Sequence, residues 1–169
     1  MNNISLISES DNSTVLAEYK VLDKVESSYQ SESELENELI NTLIEQGYER
    51  VYINSEDELI LNLRKQLEKL NNYHFTDGEW DSFFSKVIAN KNDYIIEKTR
   101  LIQEDYKQEI TLDSGEKRNI YLIDKNNIHN NSLQVLNQYV NNDGNFDNRY
   151  DVTILVNGLP LVHVELKKR

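Results

Sequence analysis

The chain has 169 residues, enough for one domain with a hydrophobic core and too few for two ordinary ones. Apolar residues make up 38% and charged residues 28%, as in a globular protein, and the absence of cysteine excludes disulfides, cysteine-ligated zinc and thiol nucleophiles. The formal net charge of −12 disfavours an autonomous binder of nucleic acid, unless local basic groups or other subunits hold the DNA.

The first residues are polar and lack the basic start and apolar run of a signal peptide, and no run of eighteen apolar residues could cross a bilayer. We therefore expect a cytoplasmic protein. Residues 1–14 are expected to be poorly ordered, and residues 15–21 to form a short strand.

A capping box then predicts the first helix, because Ser31 can accept from the first free N–H groups while Glu34 reaches back. Apolar residues follow at helical spacing up to Ile44, and Gly47 is placed to end the helix in the left-handed conformation. Residues 48–53 alternate in polarity, which predicts a strand.

Two more capping signals open a helical insert, Ser55 with Glu58 and Thr76 with Glu79. A further helix is predicted over residues 93–103. The aromatic side chains of the insert lie at helical spacing, which favours a core over a platform for stacked bases: Trp80, Phe83 and Phe84.

The polarity pattern changes to a period of two after Tyr106. Residues 108–112, a turn at 113–116 and residues 120–123 predict a hairpin. Residues 133–140 suit a helix or a strand, and their β-branched and aromatic content favours a strand; residues 141–144 are expected to be a loop. Residues 150–156 and 159–167 flank Asn157-Gly158 and predict a hairpin in the centre of a sheet covered by helices. The sequence thus predicts an α/β fold, a mixed sheet flanked by helices with a helical insert, as one domain over residues 1–169.

Three ionisable residues interrupt these apolar strands: Asp151, Glu165 and Lys167. Charged groups in such strands are costly unless they are paired or bound to a metal. Two carboxylates can hold Mg²⁺ against a phosphate oxygen, and a nearby ammonium can activate water and offset transition-state charge. The spacing therefore predicts a phosphodiesterase site; the alternative interpretation is a solvated strand face that ends in a basic tail, residues 167–169.

Strand geometry adds a requirement. Glu165, Lys167 and His163 share a face because they differ by even numbers, but a two-residue Asn157-Gly158 turn would direct Asp151 to the opposite face. We therefore predict a hairpin loop of odd length, or a bulge near residues 158–160, that returns Asp151 to that face.

The pattern of Asp151 followed by Glu165-Leu166-Lys167 resembles the PD-(D/E)XK nuclease motif, with Tyr150 where proline often stands. The longer stretch of residues 148–167, together with residues 28–36 and 119–125, resembles the N-terminal nuclease domain of the restriction (R) subunits of type I restriction-modification enzymes, IC class. The resemblance covers essentially the whole chain and implies a restriction-endonuclease-like fold.

The resemblance implies that Asp151 and Glu165 are Mg²⁺ ligands and Lys167 the catalytic ammonium. A glutamate of the first helix completes the site in some PD-(D/E)XK nucleases, and Glu36 is the candidate here; the alternative is an exposed carboxylate near the capping box. The implied partners are double-stranded DNA and the methylation and specificity subunits. ATP would act only in helicase-like domains that follow in the family. This chain has no P-loop motif, so we expect it to be a fragment.

Two other functions stay open. The chain could be a non-catalytic docking module of the R subunit that contacts the helicase domains or the methylation core, or a PD-(D/E)XK nuclease of homing or repair type. The histidines His74, His129 and His163 are interpreted as structural or surface residues.

Overall fold

The computed structural model describes residues 4–8, 16–19, 31–141 and 148–167. By its contacts the chain divides into two units, Met1–Gln30 and Ser31–Arg169, and each is described by itself. In the first unit β1 (Ile4–Ser8) pairs antiparallel with β2 (Leu16–Tyr19). The strand predicted over 15–21 is confirmed for residues 16–19, whereas residues 4–8 form a strand in a stretch expected to lack order. Every helix in the part of the chain described is too short or too polar to cross a membrane.

The second unit begins with α1 (Glu32–Glu45), which Ser31 and Glu34 cap as predicted. Gly47 follows with a φ of 95°, in the left-handed region that favours glycine. The next strand is shorter than predicted, because only β3 (Glu49–Arg50) pairs, and it lies parallel to Gln134 and Val135.

The helical insert comprises α2 (Glu56–Asn71), α3 (Asp77–Phe83) with a π-helical turn (Phe84–Ile88), and α4 (Ile95–Gln103). The hairpin of β4 (Lys107–Thr111) and β5 (Lys117–Tyr121) follows as predicted. The insert and hairpin share a core that includes Leu67, Phe75, Trp80, Phe83 and Ile120. The prediction that the aromatic residues of the insert are core is confirmed for Trp80 and Phe83, which are buried, and for Phe84, which packs against that core.

The main sheet has the order β3-β6-β7-β8. Its last three strands are β6 (Leu133–Asn141), β7 (Asn148–Val156) and β8 (Leu159–Val164), and β7 is antiparallel to both of its neighbours. Residues 133–140 are therefore a strand, as predicted, and β3 makes the sheet mixed. The expected loop at 141–144 lies outside the described residues beyond Asn141. The α/β fold with a helical insert is confirmed.

Helices cover both faces of β6 and β7. On one face Ile40 and Leu43 of α1 pack against Val135 and Val152. On the other face Leu155 packs with Leu136 and Ile53, and Leu59 of α2 lies against them. The prediction of a central position is correct for β7 and wrong for β8, which pairs with β7 alone among the described strands and leaves residues 160–163 exposed.

Candidate active site

The turn between β7 and β8 is anchored at a fixed place in the fold. Asn157 and Gly158 have φ values of 51° and 82°, as a two-residue hairpin turn of the primed type requires. The fully buried Asn157 amide donates to Leu122 O at 2.9 Å and accepts from Ser132 N at 2.8 Å. A Cβ on Gly158 would lie 2.6 Å from the Leu63 Cα atom. The pairing of the two strands therefore starts from a rigid point.

A bulge then shifts the register of the strand pair. Leu155 pairs with Pro160 and Ile154 with Val162, so Leu161 is an extra residue in β8. Beyond it, Thr153 pairs with His163 and Val152 with Val164. The predicted bulge is present, next to the predicted residues 158–160. Continuing this register brings Asp151 opposite Glu165, on one face.

The Asp151 carboxylate holds the segment that follows β8. Its Oδ2 atom accepts a hydrogen bond of 2.7 Å from Leu166 N. Its other oxygen has no hydrogen-bond partner among the described residues. Asp151 is half-buried at the start of the well-packed stretch of β7. This bond brings the Glu165-Leu166-Lys167 segment alongside Asp151, as the motif requires.

Glu165 and Lys167 form an exposed ion pair. Lys167 Nζ lies 3.3 Å from Glu165 Oε2, and the two side chains are 82% and 62% exposed for the lysine and the glutamate. Exposed pairs of this kind contribute little to stability, roughly 0–1 kcal/mol. Both side chains are therefore open to solvent.

His163 and Thr153 complete the same face. Thr153 Oγ1 lies 3.0 Å from His163 Nδ1, and desolvation by neighbouring groups lowers the pKa of His163 below its usual range. An unprotonated Nδ1 can accept a hydrogen bond from the threonine hydroxyl. Thr153 was not singled out from the sequence, because threonine is common in strands. What distinguishes it is its pairing with His163, and that pairing occurs only in the bulged register.

Glu36 has a different partner. It is only 7% exposed, and its Oε1 atom accepts from Asn137 Nδ2 at 3.0 Å. Asn137 is the Cα partner of Val152, so it belongs to the α1 face of the sheet, opposite to the face of Asp151. Arg50 also donates to Asn137, at 3.3 Å. Glu36 is thus neither exposed, as the alternative interpretation supposed, nor in a described contact with Asp151 or Glu165.

The carboxylates of Asp151 and Glu165 are suitable ligands for a hard cation, because Mg²⁺ prefers carboxylate oxygens. Within the described ranges no group of three or more acidic or histidine side chains is arranged to hold a metal ion. Two carboxylates are nonetheless a common Mg²⁺ set when water and substrate phosphate supply the other oxygens. The rest of the basic tail, Lys168 and Arg169, lies outside the described residues.

The mixed sheet, its covering helices and the placement of the motif on an antiparallel strand pair define an α/β domain of the restriction-endonuclease-like class. Residues 29–169 match the family described as the N terminus of the type I restriction enzyme R protein. The chain belongs to this family. The resemblance inferred from residues 148–167 is thereby confirmed, and a homing or repair nuclease is no longer an alternative.

The relatives are named as endonuclease subunits. The chain is 46% identical over 164 residues to the type I restriction enzyme EcoprrI endonuclease subunit of Escherichia coli, an alignment that covers 96% of this chain and 52% of that protein. It is 36% identical to the SsaAORF53P endonuclease subunit of Staphylococcus saprophyticus subsp. saprophyticus, over 83% of this chain and 15% of that protein. It is 38% identical to the SauCOLORF180P endonuclease subunit of Staphylococcus aureus strain COL, over 84% of this chain and 15% of that protein. The chain thus spans about half the length of one relative and a seventh of the others.

Proposed function

We propose that this chain is the DNA-cleaving domain of a type I restriction enzyme R subunit and hydrolyses phosphodiester bonds with Mg²⁺. The observation that carries the proposal is the bulge at Leu161, which brings Asp151 opposite the Glu165-Leu166-Lys167 segment. A hairpin that served only stability would not need the bulge, because a regular ladder would pair more backbone N–H and C=O groups.

In this proposal Asp151 and Glu165 hold the metal through their carboxylate oxygens, Asp151 through the oxygen that does not accept from Leu166 N. Bound Mg²⁺ would supply Lewis-acid polarisation of a phosphate oxygen. Lys167 keeps its ammonium 3.3 Å from Glu165, where it can contact the attacking water or the phosphate. Glu36 remains a predicted third ligand that lacks support, because its described contact is to Asn137 on the α1 face.

The net charge of −12 bears on how DNA reaches the site. An acidic domain neutralises few phosphates, so we propose that double-stranded DNA is delivered by other parts of the enzyme, namely helicase-like domains that use ATP and the methylation and specificity subunits. A cytoplasmic location is part of this proposal.

The test uses the complete R subunit in its complex. Asp151→Ala, Glu165→Ala and Lys167→Ala should each abolish DNA cleavage and leave ATP-driven translocation intact. Matched controls are Glu109→Ala and Lys117→Ala, which break a comparable exposed ion pair of 2.6 Å on the β4–β5 hairpin and should keep cleavage. Double-strand cutting by the Asp151 and Glu165 variants would refute the assignment.

Metal binding can be tested separately by calorimetric titration of Mg²⁺ or Mn²⁺. Wild-type protein should bind, and Glu165→Ala should lose at least about tenfold in affinity, which is about 1.4 kcal/mol. Equal affinity of both proteins would exclude Glu165 as a ligand.

A docking module remains the second candidate, favoured by the apolar side chains that β8 exposes, Leu161 at 40% and Val162 at 45%. It predicts that Leu161→Ser with Val162→Ser prevents assembly with the rest of the enzyme, while Asp151→Ala is harmless to cleavage. The nuclease proposal predicts the reverse for Asp151→Ala.

A further inference from the structure

Thr153 and His163 form a cross-strand contact immediately before the site. They are Cα partners in β7 and β8, and their side chains meet at 3.0 Å between Oγ1 and Nδ1. Each lies two residues from a motif residue, Asp151 and Glu165 respectively, on the same face of the sheet. This cross-strand pair therefore lies next to the pair of Asp151 and Glu165 in the candidate site.

Burial explains why the Thr153 hydroxyl needs a partner. Thr153 is 2% exposed, so its hydroxyl proton needs an acceptor inside the protein. His163 Nδ1 is the partner described for that hydroxyl, and in the ring tautomer that leaves Nδ1 unprotonated it can accept the hydrogen bond. A threonine hydroxyl buried without this partner would carry a desolvation cost.

The contact exists only in the bulged register. With Leu161 in the ladder, Val162 would pair with Thr153 and His163 with Val152. Valine offers no acceptor to the buried hydroxyl, and the imidazole would enter the apolar α1 face that Val164 now partly fills. The pair therefore selects the register that brings Glu165 opposite Asp151.

Among the described residues, few other contacts hold the segment that carries Glu165 and Lys167. Strand β8 ends at Val164, and its residues 160–163 are exposed at the edge of the described sheet. Beyond it, the described hydrogen bond to β7 is the one from Leu166 N to Asp151 Oδ2. Strand ends of this kind open locally at a small free-energy cost.

We propose that Thr153 and His163 are positioning residues, a side-chain clamp that holds the Glu165-Leu166-Lys167 segment in register with Asp151. The role of the clamp in positioning a metal site rests on the proposed nuclease function. Neither residue needs to touch metal or DNA in this role. The clamp acts through the Leu166 amide, whose hydrogen bond reports the position of the segment.

The experiment measures amide hydrogen exchange by NMR and Mn²⁺ affinity by calorimetry on the full chain. Thr153→Val removes the donor at nearly equal volume, and Thr153→Ser keeps it. His163→Leu removes the acceptor, and His163→Asn keeps an oxygen near the place of Nδ1. Core amides such as that of Leu155 report global unfolding.

We expect Thr153→Val and His163→Leu to speed exchange at Leu166 by about two- to tenfold, the range of one net hydrogen bond, and to weaken Mn²⁺ binding by a similar factor. Thr153→Ser and His163→Asn should restore both values. Unchanged exchange at Leu166, or an equal acceleration at Leu155, would overturn the clamp. If wild-type protein binds no Mn²⁺, the proposed metal site fails, and exchange at Leu166 still decides the clamp.

Discussion

Deletion of Leu161 is the most direct test of the site geometry. Leu161 is the extra residue of β8, so its removal should leave the pairs Ile154–Val162 and Val152–Val164 as they are. The hairpin then becomes regular, and Glu165 stays opposite Asp151. In a hairpin without a bulge Glu165 would start on the face opposite to Asp151, and the same deletion would shift every later pair by one residue and bring Glu165 onto the Asp151 face.

The expected energetic cost is small. Leu161 is 40% exposed, so its removal loses only part of the roughly 1.5–3 kcal/mol of a fully buried leucine. We expect a loss of at most about 1–2 kcal/mol in the free energy of unfolding, offset in part by a regular ladder. The affinity for Mn²⁺ should stay within about threefold of wild type.

The matched control inserts one alanine between Val164 and Glu165. This variant keeps every observed pair of β7 and β8 but turns Glu165 away from Asp151. Its affinity for Mn²⁺ should fall at least about tenfold, or about 1.4 kcal/mol. Calorimetry gives the affinities, and cross-strand NMR contacts between Val152 and Val164 report the register. An affinity for Mn²⁺ in the deletion variant well above that of wild type, or wild-type affinity in the insertion variant, would refute the bulged register.

Three further predictions concern single side chains. Asp151→Asn should lose Mn²⁺ binding but keep slow amide exchange at Leu166, because the amide oxygen still accepts that hydrogen bond, whereas Asp151→Ala should lose both; fast exchange in the Asn variant would contradict this. Gly158→Ala should cost about 2–4 kcal/mol in urea unfolding, because φ is 82° and the added Cβ would lie 2.6 Å from the Leu63 Cα atom. Glu79→Gln should destabilise the protein by about 1–2 kcal/mol at pH 7, since the Tyr73 hydroxyl and two backbone N–H groups bind the carboxylate and hold the pKa of Glu79 below its usual 4.5. A group with a lowered pKa stabilises the fold above its unfolded pKa, so this difference should shrink as pH falls below about 4.5; a difference that stays constant down to pH 3 would contradict it.

Several elements could be predicted because their signals are local. The boxes at Ser31 and Thr76 satisfy helix N–H groups within three residues, and both caps formed as predicted. The second cap formed differently, because Glu58 accepts from Asn54 N while Ser55 accepts from Glu58 N. The local sequence therefore sets the residue at which each helix begins. The exact hydrogen bonds of a cap depend on which neighbouring N–H group each side chain accepts from.

The bulge could be predicted as a requirement, though not at its position. For Asp151 and Glu165 to share a face, the hairpin needs one extra residue. The position of that residue depends on which side chains fit each face of the sheet. Val162 and Val164 suit the α1 face, and that choice leaves Leu161 outside the ladder. The edge position of β8 also escaped prediction, because an apolar strand has the same pattern at the centre or the edge of a sheet.

The sequence by itself determined the family, the helix starts and the candidate triad of Asp151, Glu165 and Lys167, since these depend on residue type and spacing along the chain. Only the tertiary structure decided that Glu36 contacts Asn137, and that Thr153 meets His163. Those contacts join residues distant in sequence, and they depend on strand register and on the face to which each helix packs. A one-residue shift in register moves a side chain to the other face, so the side chains that meet at this candidate site depend on packing as much as on the motif.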